Sequence, residues 1–187
     1  MKPGPTLRIF AGFAVLALVF AIKAPLAAAQ TADSAAISNL LTQAQHHAML
    51  LDDDAATLES FTRSKISWKT HAGQLEVMKE HVNNLGKLTQ QLTDLRSEGS
   101  PWQQEAIDQI DPLLRQMADH LTATINHLNE NQNRVHMQAF RDYVQGNYEL
   151  ASRTHETIRD LVAYDQAKSK AQVLEQKLEL PATNESQ

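Results

Sequence analysis

The sequence has no cysteine, and both glycine and proline are scarce, with six of each in 187 residues. The absence of cysteine excludes disulfide cross-links, catalytic thiols, thiolate metal sites and the Cys-x-x-Cys-His attachment of c-type haem. The long segments without glycine or proline are rich in Ala, Leu, Gln, Glu and Lys, which favour helices. A chain of this kind must be held together by the packing of helices.

The first 29 residues have the pattern of a cleaved export signal. Lys2 and Arg8 precede an unbroken apolar run over residues 9–22, and three alanines close the segment. The run is shorter than the roughly 17–25 residues that span a bilayer as a helix. We therefore expect residues 1–29 to be a signal peptide, and the mature protein to be periplasmic or secreted, without stable insertion in a membrane. Retention of the leader as an anchor is the alternative.

Apolar residues recur at steps of three and four along the rest of the chain, which predicts helices. The pattern predicts four helices, over about residues 33–62, 67–97, 101–134 and 137–180. Short connections make neighbouring helices antiparallel. We predict an all-α fold, an up-down-up-down antiparallel four-helix bundle over residues 30–180 with a long fourth helix. The signal-peptide helix precedes this bundle, and a disordered tail over residues 181–187 follows it.

Two positions carry the clearest local signals. Gly99 predicts a left-handed residue that ends the second helix, and Ser100 with Gln103 predicts a capping box at the start of the third. Pro112 lacks the N–H that a helix interior needs. It predicts either a kink in the third helix or a short first helix that the preceding aspartate caps again.

Eight histidines in a cysteine-free exported bundle raise the hypothesis of metal binding. Each of the four predicted helices contributes one histidine at a similar depth, and these candidate ligands are His47, His81, His120 and His155. Their helical phase places them at the flanks of the apolar faces, where the four side chains need not converge. No His-Glu-x-x-His motif occurs. A periplasmic protein that binds Zn, Cu or Ni through histidine is therefore the alternative function.

Several polar residues interrupt the predicted core. Counting along the helices places His71 in one layer with Asn131, and Thr124 in a second layer with Asn147. Such layers set the register of a bundle or line a small hydrated pocket. The residues of that candidate pocket are His71, Asn131, Asn147, Tyr143 and Trp68.

Catalytic motifs are absent: there is no Gly-x-Ser-x-Gly motif and no glycine-rich phosphate loop. The Asp52-Asp53-Asp54 run points in three directions from a helix and is predicted to be a solvated face. We expect no enzyme and no cofactor. The mature chain has 14 basic and 22 acidic residues, a net charge of −8, without a basic cluster, so nucleic acid is not an expected partner. The leading hypothesis is a protein-binding or structural component of the cell envelope, which binds an unknown envelope protein or self-associates.

One resemblance accompanies these inferences. It is carried by Ser67-Trp68-x-x-His71-Ala72, by Lys79-Glu80-His81-Val82-Asn83-Asn84-x-Gly86, by Ser100-Pro101-Trp102-Gln103-Gln104 and by Thr124-Ile125-Asn126-His127-Leu128-Asn129. Over about residues 50–165 the chain resembles a group of uncharacterised short exported helical proteins of soil bacteria, of acidobacterial type. The resemblance implies a bundle and export. It implies no activity and no site residues.

Overall fold

The computed structural model describes residues 32–178, so the predicted signal peptide and the predicted tail over residues 181–187 lie outside the described residues. The described chain forms four α-helices, α1 (Ala35–Phe61), α2 (Trp68–Asp94), α3 (Pro101–Glu130) and α4 (Gln138–Leu178). One 3-10 turn follows α2 and another follows α3. The predicted all-α, antiparallel four-helix bundle is confirmed.

The helices form a square in which each packs against two neighbours. Helix α1 packs against α2 and α4, and α3 packs against the same two helices. The short connections force neighbours to run antiparallel. The apolar stripe of each helix therefore faces one shared core, whose largest fully buried side chains are Phe140, Ile37, Leu41, Leu51, Leu58, Leu75, Met78, Leu85, Leu92, Ile107, Ile110 and Met117.

The predicted left-handed conformation of Gly99 is wrong. Its backbone is extended, with φ −80° and ψ 153°. Glycine leaves room there, because a Cβ atom would lie 2.8 Å from Cδ1 of Ile37 and 3.1 Å from Cβ of Gln103, so a larger residue would displace core side chains. The adjacent cap has the glutamine contact that the sequence predicts, since the Gln103 side chain accepts a hydrogen bond from the Ser100 N–H at 3.1 Å.

Pro112 does not divide the third helix, so the prediction of a short, separately capped first helix is wrong. Helix α3 is continuous from Pro101 to Glu130. Both Pro112 and Asp108, whose carbonyl loses its helical partner, are exposed. Water can therefore satisfy that carbonyl, and the missing hydrogen bond costs little.

Helix α4 is longer than its neighbours. Its 41 residues compare with 27 in α1, which at about 1.5 Å per residue makes α4 about 20 Å longer. Within residues 32–178 no helix carries an apolar stretch long enough to cross a bilayer.

Candidate functional site

The four candidate histidines do not converge. Within residues 32–178, no three His, Asp or Glu side chains form a group that could hold a metal ion. His47 meets His81 between α1 and α2. His155 contacts a carboxylate of α1, and His120 contacts a backbone carbonyl of α4. The structure therefore brings two of the four together and separates the other two.

The pair of His47 and His81 has a supporting set of polar groups. The two Nδ1 atoms lie 3.3 Å apart, and both side chains are partly buried. The other ring nitrogen of His81, Nε2, lies 3.4 Å from Oδ2 of Asp54. Gln74 in turn donates to Oδ1 of Asp54 at 2.9 Å. Four side chains from two helices thus form a continuous series of contacts. The series runs from the imidazole of His47 through the imidazole of His81 and the carboxylate of Asp54 to the amide of Gln74.

Electrostatics favour the neutral imidazole at His47. Burial lowers the pKa of His47 below its ordinary value, and the nearby His81 and His46 lower it further. A neutral imidazole keeps one nitrogen lone pair, which can accept a proton or bind a metal ion.

The prediction of a solvated face at Asp52-Asp53-Asp54 is wrong for two of the three residues. Oδ2 of Asp52 lies 3.1 Å from Nδ1 of His155 on α4, and Asp54 faces α2. Only Asp53 is exposed. Positions two apart on a helix differ by about 200°, so the outer aspartates point to opposite flanks of α1, where α4 and α2 lie.

Spacing gives a signal that could have located these contacts. Asp54 follows His47 by seven residues on α1, and His81 follows Gln74 by seven residues on α2. Seven residues are about two helical turns, so each pair lies on one flank of its helix. Because α1 and α2 are antiparallel, His47 of the first pair meets His81 of the second, and Asp54 meets Gln74.

The α3–α4 seam uses its histidine differently. Nε2 of His120 donates to the carbonyl oxygen of Tyr143 at 3.0 Å. The imidazole lies against the α4 backbone at Gly146, where a Cβ atom would come within 2.5 Å of Nε2. On the same seam the ring of His127 contacts that of Tyr143, with centroids 4.7 Å apart. These histidines pack the two helices together.

A buried polar pair also links α3 and α4. The side-chain amide of Asn147 donates to the Thr124 hydroxyl at 2.7 Å, and both residues are fully buried. Thr124 itself donates to the His120 carbonyl at 2.9 Å. Oδ1 of Asn147 has no hydrogen-bond partner among the described residues. The structure thus joins the two members of the predicted Thr124–Asn147 layer.

The other candidate pocket residues lie in separate contacts. His71 packs edge-on against Phe61 and Phe140, and its Nδ1 hydrogen-bonds the Ser67 carbonyl at 2.9 Å. The Asn131 side chain donates to the carbonyl of its own helix at position 127, while Tyr143 contacts the α3 histidines and Trp68 is partly buried. A cleft of about 600 Å³ beside the α1–α2 connection includes His71 and none of the other four residues.

Sequence reasoning missed a polar clamp at the end of the bundle where α1 begins. The side chain of Gln103 is fully buried and binds both the N–H and the carbonyl of Ser34, at 2.8 and 3.0 Å. Oδ1 of Asp33 accepts from Trp102 at 2.7 Å and from Lys168 at 3.1 Å. The clamp ties α1 to α3 and α4.

The clamp also changes the acidity of Asp33. Burial raises the pKa of this carboxyl, but its hydrogen bonds with Lys168 and Trp102 and the charge of Lys168 act against burial, and the pKa is lowered.

No protein-family model, no curated protein and no solved structure matches this chain.

Proposed function

We propose that this chain is an exported, non-enzymatic component of the cell envelope that assembles through the projecting end of α4. The projecting end consists of residues 169–178, beyond the contact of Lys168 with Asp33. At about 1.5 Å per residue, this segment is about 15 Å long. Its large apolar side chains Val173, Leu174 and Leu178 are 61%, 46% and 61% exposed. This exposure is the observation that carries the proposal.

An exposed apolar stripe runs along α4 from Tyr164 into the projecting end and includes both of its leucines, while Val173 lies beside it. Its members follow one another at intervals of three, four, three and four residues, and they are Tyr164, Ala167, Ala171, Leu174 and Leu178. Such intervals are typical of the seam of a left-handed coiled coil. The stripe begins beside the bundle, where the ring of Tyr164 meets that of Trp102 at 5.2 Å.

The stripe differs from the seam that α4 presents to its own bundle. The buried positions Thr154, Ile158 and Val162 continue, at the same spacing, into Asp165, Ser169 and Gln172. Those continuing positions are polar, so the internal seam ends with the bundle. The exposed stripe lies on another side of α4 and is available to a second helix.

A second copy of the chain is the occupant that we propose. An identical stripe has matching heptad spacing by construction, and a two-fold axis pairs each leucine with its counterpart. Burial of a leucine side chain contributes about 1.5–3 kcal/mol, so four leucines in a pair stabilise a weak, reversible dimer. Export is supported by the leader pattern of residues 1–29, and the absence of catalytic motifs is consistent with a protein that acts by binding.

The test is the mass of the mature protein in solution, measured by light scattering over a wide range of concentration. We expect a dimer that dissociates on dilution. The variant L174Q/L178Q removes the burial of all four leucines, so it should be monomeric over the same range of concentration and keep the melting behaviour of the bundle. Val77 is 41% exposed on α2, so V77Q is the matched control and should dimerise normally.

A wild-type protein that is monomeric at every concentration would overturn self-association. A photo-crosslinker at position 174 in the producing cell then identifies a different envelope partner or captures nothing. Export is tested separately by the N-terminal sequence of the protein from culture, which we expect to start at Gln30.

A further inference from the structure

We propose that His47 and His81 form a binding site for one divalent transition-metal ion, with Cu²⁺ as the preferred ion. The inference is independent of self-association, because the two histidines lie on α1 and α2 and the projecting end of α4 contributes nothing to them. It retains two of the four histidines that the sequence raised as metal ligands.

The distance between the two nitrogens fits a shared ion. Nδ1 of His47 and Nδ1 of His81 lie 3.3 Å apart. Two imidazole nitrogens that are each about 2.0–2.1 Å from one ion lie about 3.3–3.4 Å from each other when the ion is tetrahedral, and about 2.9 Å when they are neighbours on a tetragonal Cu²⁺ ion. The metal-free rings are therefore within about 0.5 Å of either separation, a difference that side-chain rotation can supply without movement of the helices.

Asp54 prepares His81 for this role. Oδ2 of Asp54 lies 3.4 Å from Nε2 of His81, and a small side-chain movement brings the two atoms to hydrogen-bond distance. A carboxylate there keeps the proton on Nε2 and leaves the lone pair of Nδ1 directed toward His47. Carboxylates behind metal-binding histidines commonly act in this way.

Gln74 in turn holds Asp54. Its side-chain amide donates to Oδ1 of Asp54 at 2.9 Å and to the backbone carbonyl of the same residue at 3.2 Å. The carboxylate is therefore held in an orientation that faces α2 and His81. The supporting shell comes from the same two helices as the ligands.

The chemistry of the two ligands selects the ion. Two imidazoles without thiolate or carboxylate ligands suit Cu²⁺, Ni²⁺ and Zn²⁺, and the Irving–Williams order places Cu²⁺ highest. Two protein nitrogens leave the remaining coordination positions to water or to an external ligand. The site is therefore suited to an exchangeable ion, and the bundle folds without it.

The first test is titration of tag-free mature protein with Cu²⁺, followed by calorimetry and by electron paramagnetic resonance. We expect one ion per chain with the nitrogen hyperfine pattern of imidazole ligands. Both H47Q and H81Q should lose stoichiometric binding. The control is H136Q, which removes an exposed histidine of the α3–α4 connection and should bind as the wild type does.

The second test addresses the supporting shell. D54N should weaken Cu²⁺ binding by about tenfold to a hundredfold, as removal of a group that hydrogen-bonds a metal ligand commonly does. The control D53N changes the exposed neighbouring aspartate and should leave binding unchanged. Circular dichroism establishes that each variant is folded before titration. Wild-type protein that binds no Cu²⁺, or folded H47Q and H81Q variants that bind it as tightly as H136Q, would overturn the proposal.

Discussion

The α1–α2 and α3–α4 seams of the bundle both contain histidine, and they use it in opposite ways. On the α3–α4 seam, His120 donates to a backbone carbonyl and lies against Gly146. On the α1–α2 seam, His47 and His81 face each other with a carboxylate behind one of them. In the first arrangement a ring nitrogen bonds the backbone, and in the second two ring nitrogens face each other at hydrogen-bond distance, as the proposed metal site requires. The groups around each ring nitrogen therefore decide the role of a histidine.

The largest effect is expected at the buried polar pair of the α3–α4 seam. N147D places a carboxylate at a fully buried position beside Thr124, and an uncompensated buried charge costs about 3–5 kcal/mol. We expect a loss of about this size at pH 7 in urea denaturation.

The matched variant N147L keeps the branching of the side chain with bulkier methyl groups, and it removes the oxygen that has no partner in the described chain. It should cost about 1–3 kcal/mol through added volume, less than N147D. Equal losses for N147D and N147L would show that the hydrogen bond to Thr124, and not burial of charge, dominates this layer.

Close packing of the α3–α4 seam predicts a smaller loss at Gly146. In G146A the new methyl group meets the His120 ring at 2.5 Å. The ring must swing away and give up its bond to the Tyr143 carbonyl, which we expect to cost about 1–3 kcal/mol.

Gly86 on α2 is the control, because no atom lies within 4 Å of its added Cβ. G86A should gain up to about 1 kcal/mol from helix propensity. If thermal melting shows the same gain for G146A, the packing of His120 against α4 is wrong.

The sequence predicted the helices well because their apolar residues repeat at the helical period. That repeat is a local property, and α1 and α2 begin within two residues of the predicted positions. Gly99 and Pro112 were predicted wrongly because their roles depend on neighbours distant in sequence or on solvent. The residues around Gly99 in the sequence are the same whether the glycine leaves room for Ile37 or adopts a left-handed conformation, so local sequence does not distinguish the two roles.

The contacts of the candidate site were less predictable. Helical phase placed the histidines at the flanks, but the partner of each depends on which helix lies beside that flank and at what height. Once α1 and α2 are known to be antiparallel, the seven-residue spacing predicts these contacts. His47 and Asp54 lie on one flank of α1, and Gln74 and His81 lie on one flank of α2. Gln103 has no such periodic signal, because its partners are backbone atoms of the first described residues.

A charged contact outside both seams gives a pH-dependent reference. The pKa of Asp33 is lowered in the folded protein, so this carboxylate stabilises the fold above its ordinary pKa of 3.8. The stabilisation is lost as the pH falls through the lower, folded-state pKa. D33N should therefore be less stable than the wild type at pH 7, by about 0.5–1 kcal/mol. The difference should vanish in acid, and a difference that persists at pH 2 would contradict the assignment.

The smallest effect is expected at the α1–α2 seam, and it bears most directly on the comparison. In metal-free protein, H47Q and H81Q should each change the free energy of unfolding by no more than about 0.5 kcal/mol, because the seam is partly exposed and water can replace the contact that each partner loses. The same substitution on the other seam, H120Q, should cost about 1 kcal/mol, since it removes the imidazole bond to the Tyr143 carbonyl and the packing of the ring against Gly146. Urea denaturation with a chelator present measures all three. If H47Q and H81Q cost as much as H120Q, packing alone accounts for the pair. If they cost little, the pair contributes little to stability, which the proposed metal site requires.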